Sequence, residues 1–374
     1  MSRWLQPSRV AAASILLLLA LAIAGTFGNA ARSGQSFPKY NRYYSLSDYV
    51  QEVESFFSHN FVLGDSLRGL AIGIKQLGGQ QEFGQVYVGK DILVEDIGWP
   101  DQQQTDLNRQ ALETFLDRSP LPVSFLLLPT KCAIKQNEID PAAPLFNQKQ
   151  FIEQTYSQVV GKATVVDVYP VLFSNMDQYI YYRTDPGLTS LGAYYVYDVL
   201  AQRLGITRTR SQEEFSLQQV TANYTGRTYE AFPYAQVTPD VLTLYHYQKS
   251  GLNYTVTHNE DYSFTYSSLY PTHLKELDQV EQVLLGGNTG DLTIRSNMKT
   301  DNNLLIIGDS SILPVIPFLM THYAEIRFVD LSQWREQEIS QLELEDYQRV
   351  LLTYSVDTFI HQDGPQRLEH LVEQ

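Results

Sequence analysis

The chain has 374 residues, of which 43% are hydrophobic and 18% charged, a composition that excludes a disordered tail, a coiled coil and a protein with many membrane spans. At about 150 residues per domain, this length predicts two or three domains, or one large α/β domain with insertions. Acidic side chains outnumber basic ones and give a net charge of −15. Because nucleic acids and anionic lipid headgroups repel so acidic a protein, we expect no nucleic-acid partner.

The first thirty residues have the pattern of a targeting segment. Arg3 and Arg9 form a positive start, and the apolar run over residues 10–27 has about the shortest length that crosses a bilayer as a helix. Small residues at positions 28 and 30 also fit a signal-peptidase site, so a cleaved signal and an uncleaved anchor both stay open, with the long run favouring the anchor. We predict a signal peptide or membrane anchor over residues 1–31. Residues 32–374 are then exported to the extracellular face of the cell membrane, or secreted if the signal is cleaved.

Cysteine occurs once, at Cys132, so the chain cannot form an internal disulfide. An exported chain of this size without disulfides is typical of a bacterial surface protein whose core is stable unaided. We interpret Cys132 as an ordinary loop or strand-end thiol rather than a nucleophile. No group of His, Cys or carboxylate residues has metal-ligand spacing, and no phosphate loop or dinucleotide fingerprint occurs, so we expect neither a metal nor a cofactor.

Helix and strand patterns alternate along most of the chain. In chain order they predict a helix over 46–77, a β-hairpin over 84–96, a helix over 104–118, a buried strand over 122–129, a helix over 148–160, a strand over 163–168 and a helix over 189–205. Residues 215–270 are rich in Thr, Tyr and Val and predict an insertion of antiparallel strands. The alternation resumes with a strand over 303–311, a helix over 312–323, and strands over 325–331 and 349–354. This order predicts a mainly parallel sheet with helices on both faces.

The clearest chemical signal is the segment 308–311, Gly-Asp-Ser-Ser, which follows four apolar residues and precedes an apolar helix. In an open α/β sheet, ligands bind outside the carboxyl ends of the strands, where a helix start also offers N–H groups to an oxyanion. Ser310 is therefore a candidate nucleophile, although its hydroxyl needs a base to take its proton. An ordinary turn in which Asp309 and Ser310 cap a helix explains the same residues. A second acid, Asp185, lies just before a predicted helix, which is also a usual capping position.

Taken together, these segments resemble the DHHW proteins of Gram-positive bacteria, relatives of the alginate O-acetyltransferase group within the SGNH hydrolase superfamily. The matching pieces, in the same order and spacing, are VYVGKD (86–91), YYRTD and TSLGAYYVYDVL (181–200), LLGGN (284–288), and LLIIGDSSILPVIPFL with HYAEIRFVD (304–330). The resemblance covers residues from about 45 to 360. It implies an SGNH-like three-layer α/β/α sandwich with a mainly parallel sheet and a β-rich insertion over about 215–270.

The family motif, Asp-His-His-Trp, reads Asp185-Pro186-Gly187-Leu188 here. The resemblance makes Ser310 the nucleophile and Asp185 the triad acid, and it places the catalytic histidine at Gly187, which has no side chain. Loss of one triad member costs several orders of magnitude in rate. The resemblance also implies Gly286 and Asn288 as oxyanion donors, although Gly-Gly-Asn is equally an ordinary tight turn. Histidines that remain as substitute bases are His246, His258, His273, His322 and His361.

Three functions stay open. The favoured hypothesis is a pseudoenzyme of the cell envelope, which binds a glycan or assists polysaccharide O-acylation without catalysing it. The alternative is an active O-acetyltransferase or acetylesterase with Ser310 as nucleophile, supplied with acyl groups by a multi-span membrane acyltransferase. The third is a scaffold that binds protein through the insertion 215–270.

Overall fold

The computed structural model describes residues 82–372 with gaps at 234, 260–262, 272–279, 336–338 and 340–341; earlier in the chain it describes 20, 22–32, 34, 36–39, 49, 52–53, 56, 72 and 80. Contacts divide the chain into two compact units, Met1–Gln80 and Gln81–Gln374. The helix predicted over 46–77 lies almost wholly outside the described residues, and the predicted boundary at residue 31 stays a prediction.

In the first unit, residues 22–32 are helical. Phe27, Phe37 and Phe56 pack ring against ring with centroids 5.2 to 5.7 Å apart. No helix within the described residues is both long and apolar enough to cross a membrane. Most of the apolar run 10–27 lies outside those residues, so the signal peptide or anchor stays a prediction.

The described part of the second unit contains thirteen strands and nine α-helices. The strands are β1 (Glu82–Phe83), β2 (Val86–Val88), β3 (Leu93–Glu95), β4 (Val123–Leu128), β5 (Thr164–Val165), β6 (Phe215–Tyr224), β7 (Asp240–Tyr247), β8 (Tyr254–His258), β9 (Phe264–Tyr266), β10 (Asp291–Ser296), β11 (Asn303–Gly308), β12 (Glu325–Val329) and β13 (Arg349–Ser355). The helices are α1 (Gln102–Arg118), α2 (Lys131–Ile134), α3 (Gln148–Gln158), α4 (Tyr169–Ser174), α5 (Ser190–Arg203), α6 (Arg227–Ala231), α7 (Val280–Val283), α8 (Ile316–Leu319) and α9 (Val356–His361). Short 3-10 helices span Gln136–Glu138, Gln212–Glu214, Ser310–Val315, Leu331–Gln333, Leu344–Asp346 and Pro365–Leu371.

The central sheet has eight strands in the order β5-β4-β13-β11-β12-β10-β8-β9. The first five strands run parallel, and the last three join them in antiparallel pairs. Every residue of β4 is buried, and so are residues 304–308 of β11 and 350–354 of β13. Strands that are buried on both faces need helices on both faces, so the predicted α/β fold class is confirmed.

Two groups of helices cover this sheet. Helices α1 and α9 pack together with the 3-10 helix Pro365–Leu371, and α3 joins them through Phe151, whose ring is 6.2 Å from that of Phe359. Helix α5 packs against α4, α8 and Ser310–Val315, and Tyr197 stacks on Phe318 at 5.6 Å. The central strands thus share one continuous apolar core with both groups.

Local chemistry explains where the predicted helices begin and end. Helix α1 starts two residues before the predicted position because the Asp101 side chain accepts a bond from Gln104 N at 3.0 Å. Thr189 caps α5 in the same way by accepting a bond from Gly192 N at 3.2 Å. The helix predicted over 312–323 is wrong in type: residues 310–315 form a 3-10 helix and only Ile316–Leu319 are α-helical. Pro314 and Pro317 lack the N–H donors that a continuous α-helix requires there.

The insertion is divided between two sheets. Strands β6 and β7 form a separate antiparallel ribbon, whereas β8 and β9 extend the antiparallel edge of the central sheet. The adjoining strand β10 was not predicted, although its first four residues are buried. The predicted hairpin over 84–96 is present as β2 and β3, and β1 adds a third strand to it.

Candidate functional site

A cavity of about 370 Å³ lies at the carboxyl ends of the parallel strands. Four of those strands are followed, within one to three positions, by a residue that lines the cavity: Lys131 after β4, Asp357 after β13, Ser310 after β11 and Asp330 after β12. This is the edge at which open α/β sheets bind ligands, and the volume falls in the range of small-ligand sites. We call it the carboxyl-end cavity.

The turn that carries Ser310 is built by its neighbours. A Cβ atom on Gly308 would lie 1.9 Å from the carbonyl oxygen of Thr353, so only glycine allows β11 to pair closely with β13. Asp309 caps the following 3-10 helix by accepting a bond from Ser311 N at 3.1 Å, and its other oxygen accepts from Ser355 N at 2.8 Å. Asp309 therefore has the capping role that the ordinary-turn interpretation proposed.

Ser310 is half-buried and lines the carboxyl-end cavity. Within the described part of the chain, no hydrogen bond involves its hydroxyl group. None of the described residues that line the cavity is a histidine. The hydroxyl is therefore accessible to a ligand, and no histidine among the described lining residues stands beside it to take its proton.

Asp185 also lines the cavity, but its carboxylate is already engaged. One oxygen accepts a bond from Gly187 N at 2.8 Å, and the other accepts from the Tyr224 hydroxyl at 3.1 Å and from Arg227 N at 3.3 Å. The backbone of Gly226 presses on the same side chain, since a Cβ there would lie 2.3 Å from Asp185 Cβ. Asp185 is thus an anchor between its own loop and the insertion, where the family pattern implies an acid that orients a histidine.

The loop that carries Asp185 rests on a second acid that the sequence did not single out. Asp240, at the start of β7, is completely buried. Its carboxylate accepts bonds from Arg183 N at 2.7 Å, from Thr184 N at 2.8 Å, and from the hydroxyl groups of Thr184 and Tyr179. Four donors on one buried carboxylate fix the backbone of residues 179–184 to the ribbon β6–β7.

Lys131 is the buried cation of the site, with 1% of its surface exposed. Its ammonium group donates to the carbonyl oxygens of Tyr182 at 3.0 Å and Asp185 at 2.8 Å. Burial lowers the pKa of Lys131 to about 8, and the nearby carboxylates of Asp185 and Glu95 oppose that shift. The side chain is therefore a second support for the Asp185 loop and a group that can lose its proton near neutral pH.

The two predicted oxyanion donors have different positions. Asn288 lines the cavity, where its amide group donates to Asp330 at 3.2 Å and accepts from Gly290 N at 3.0 Å. Gly286 is not among the described lining residues. A Cβ atom on Gly286 would lie 2.4 Å from the Tyr266 ring, and its φ of 84° favours glycine. We therefore keep Asn288 as the candidate donor and assign Gly286 to packing.

Three of the candidate histidines have partners away from the cavity. His246 bonds to Gln218 at 2.7 Å on the ribbon, and the buried His258 contacts Thr289 and the carbonyl of Leu285, each at 2.9 Å. His322 bonds to the Tyr197 hydroxyl at 2.7 Å. Burial, helped by a nearby arginine, lowers the pKa of His322 to about 4.

His361 comes nearest to the site in sequence. Its ring bonds to Asp357, a lining residue, at 2.8 Å and to the carbonyl of Trp99 at 3.0 Å. Burial lowers the pKa of His361, but the bonds to Asp357 and Trp99 outweigh it and leave the pKa raised. The ring itself is not among the described lining residues, and His273 lies outside the described part of the chain.

The sequence analysis did not name several other polar residues that line the cavity, although their position near the carboxyl ends of parallel strands identifies most of them. Lys131, Asp330 and Asp357 lie one to three positions after a parallel strand, which is the location that singled out Ser310. Ser355 is the last residue of such a strand. Cys132 is buried in α2, not in a loop, and burial raises the pKa of its thiol. Among the described residues, no group of three or more His, Cys, Asp or Glu side chains is placed to hold a metal ion.

Residues 123–329, more than half of the chain, match the family described as DHHW protein. The chain belongs to the DHHW family. The predicted resemblance is confirmed. Residues 185–188 of this DHHW protein read Asp-Pro-Gly-Leu, and their placement at the family motif stays a prediction. No curated protein matches the sequence.

Two solved structures share the fold of this DHHW protein. A DHHW family protein from Eubacterium siraeum superposes with a TM-score of 0.63 at 18% identity, and the match covers 77% of this chain and 96% of that one. PatB1 from Bacillus cereus, determined with a sulfonyl adduct, superposes with a TM-score of 0.60 at 14% identity over 74% of this chain and 98% of its own. The SGNH-like α/β/α architecture is therefore confirmed.

Proposed function

We propose that this DHHW protein binds a cell-envelope glycan and assists polysaccharide O-acylation without a working Ser-His-Asp triad. One observation carries the proposal: the cavity keeps Ser310, but no histidine is among its described lining residues, and Gly187 stands at the position of the base. Membership of the DHHW family supports the link to O-acylation. We further propose that the N-terminal segment anchors the chain at the extracellular face of the membrane, beside a multi-span acyltransferase.

The composition of the cavity supports a glycan as its ligand. Its lining includes the carboxylates of Glu95 and Asp357, the amide of Gln333 and the guanidinium of Arg227. Such groups form directed hydrogen bonds with sugar hydroxyls, and a volume of about 370 Å³ accommodates one or two sugar rings. A polar lining of this kind binds a ligand without the need for a nucleophile.

The catalytic part of the proposal is tested with the full-length protein and a sulfonyl fluoride, which labels activated serines. We expect no adduct on Ser310 by mass spectrometry and no difference in p-nitrophenyl acetate turnover between the wild type and Ser310→Ala. Serine-dependent turnover at enzymatic rates, about 1 s⁻¹ or more, would overturn the proposal.

The binding part is tested with O-acetylated bacterial cell-wall polysaccharide and its deacetylated form in a titration calorimeter. Gln362 is exposed and lines the cavity, so Gln362→Trp should block the entrance and abolish binding. Gln202→Trp, an equal change at an exposed position that does not line the cavity, should leave binding intact. Equal binding by both variants would show that the glycan does not enter this cavity.

A second candidate function is an active O-acetyltransferase or acetylesterase in which Lys131 takes the proton of Ser310. The observation in its favour is that Lys131 lines the same cavity as Ser310 and has a pKa near 8. The opposing observation is that its ammonium group already donates to two carbonyl oxygens. Sulfonyl labelling of Ser310 that disappears in Lys131→Met would favour this candidate over the pseudoenzyme.

A further inference from the structure

Two further cavities lie at the amino ends of the central strands. One, of about 500 Å³, is lined by Lys249 and Lys299, and the other, also about 500 Å³, is lined by Arg208 and Arg349. Both are lined by Arg210 and His322, so they are neighbours. We call these six residues and the two cavities between them the amino-end groove.

The groove is separate from the carboxyl-end cavity. Asn303 and Arg349, the first residues of β11 and β13, line it, whereas Ser310 follows the other end of β11. Strand β11 has six residues, which at roughly 3.3 Å per residue place its two ends about 17 Å apart. A ligand in the groove therefore does not touch the proposed glycan site.

The charge of the groove is opposite to that of the protein. Five of its side chains are lysine or arginine, and no carboxylate is among the described residues that line either cavity, although the chain carries a net charge of −15. Glu214 approaches Arg208 and Arg210 at 3.6 and 3.8 Å. In the described part of the chain, no ion pair involves the other three cations. Five clustered cations with one carboxylate beside them carry a local excess of positive charge, which raises the local concentration of anions.

Arg210 is held rigidly where the two cavities meet. Its guanidinium lies 5.1 Å from the centroid of the Tyr247 ring and donates to the carbonyl of Thr321 at 3.4 Å. Its Nε atom is buried and has no hydrogen-bond partner among the described residues. Nε is closed to a ligand, but Arg210 lines both cavities and 17% of its side chain is exposed. A guanidinium matches the oxygen atoms of phosphate, which it binds through paired hydrogen bonds.

We propose that the amino-end groove binds a phosphate-bearing polyanion. A single phosphate ion carries at most two charges near neutral pH and cannot neutralise five cations spread over two cavities. A chain of phosphate groups occupies both cavities and releases several counterions when it binds. This proposal does not depend on whether Ser310 is active.

The test uses the full-length protein and long-chain sodium polyphosphate, with affinity measured against salt concentration. Lys249 and Lys299 are exposed, so Lys249→Gln/Lys299→Gln removes two charges from the groove without disturbing the core. We expect affinity to fall about tenfold and the slope of log K against log salt to fall by about two. Lys90→Gln/Lys149→Gln removes two exposed charges that do not line the groove and should leave both values unchanged.

Several outcomes would overturn the proposal: no binding of polyphosphate by the wild type, equal weakening by the groove variant and its control, or equal affinity for inorganic phosphate. Equally tight binding of poly-L-glutamate would overturn the preference for phosphate. Binding to phosphatidylglycerol vesicles but not to neutral phosphatidylcholine vesicles, without binding of polyphosphate, would assign the groove to a membrane surface instead.

Discussion

Replacing Gly187 by histidine tests the proposal that Ser310 is inactive because no imidazole stands at position 187. A Cβ atom at this position contacts only one neighbour within 4 Å, the Asp185 Oδ1 atom at 3.0 Å, and the backbone of Gly187 is not in the left-handed region. The Cβ atom is therefore accommodated if Asp185 shifts by a few tenths of an ångström. We expect the free energy of unfolding to change by less than about 1 kcal/mol.

The expected gain follows from the chemistry of proton transfer. A positioned general base contributes about 10² to 10⁴ in rate. Because Asp185 already accepts three hydrogen bonds, it orients a new imidazole imperfectly, so we take the lower end. Gly187→His should hydrolyse p-nitrophenyl acetate about a hundredfold faster than the wild type, equivalent to about 2.7 kcal/mol of barrier.

Two control variants isolate the imidazole. Gly187→Ala adds the same Cβ without a base and should stay at the wild-type rate. Gly187→His combined with Ser310→Ala should lose the gain, because the gain requires the Ser310 hydroxyl. Any rate that remains in this double variant is due to the histidine alone. If folded Gly187→His shows no serine-dependent gain, the missing base is not what limits this site, and the pseudoenzyme argument fails.

Three further predictions concern stability, each measured by urea denaturation with circular dichroism. Because burial lowers the pKa of Lys131 to about 8, the folded state loses this proton at a lower pH than the unfolded state does. Between pH 7 and 9.5, the free energy of unfolding of the wild type should therefore rise by about 2 kcal/mol relative to that of Lys131→Met. A difference between the two proteins that does not change with pH would contradict the low pKa. Asp240→Asn should lower the free energy of unfolding by about 3 kcal/mol, since four donors lose a buried carboxylate. The control Asp117→Asn, at an exposed ion pair, should lower it by less than about 1 kcal/mol. Similar losses in the two variants would refute the anchoring role of Asp240. Gly308→Ala should lower the free energy of unfolding by more than about 3 kcal/mol, because its Cβ would lie 1.9 Å from the carbonyl oxygen of Thr353. If Gly308→Ala is as stable as the wild type, β11 and β13 do not need their close pairing at this position.

The sequence was sufficient for the parts of the fold that local patterns control. Apolar runs bounded by prolines or glycines identified β4 and β11, and capping residues fixed the start of α5. The type of the helix after Ser310 was not predictable from hydrophobic spacing, because 3-10 and α-helices both bury Ile312 and Ile316. Strand β10 was missed since only its partners β8 and β12, distant in sequence, give it a place in the sheet.

The candidate site was predictable only in part, for a related reason. Ser310, Asp185, Gly187 and Asn288 line one cavity. Local sequence singled out Ser310 and Asp185, and the family resemblance added Gly187 and Asn288. The occupation of Asp185 by Tyr224 and Arg227 depends on how the insertion folds over the loop, which no local pattern encodes. Asp240 was missed because its sequence neighbourhood is an ordinary strand start, and only its burial shows its role.

The attachment of Asp240 to residues 179–184 has a practical consequence for protein engineering. A chimera that exchanges residues 179–188 with those of a relative needs the relative's β6–β7 ribbon as well, because the Asp240 carboxylate that holds residues 179–184 is supplied from there. If the foreign loop is grafted alone and its backbone lacks the donors that the buried Asp240 carboxylate requires, a buried charge is left without its hydrogen bonds, which is destabilising. The loop and the β6–β7 ribbon, joined by a bond between residues 56 positions apart, should therefore be exchanged together.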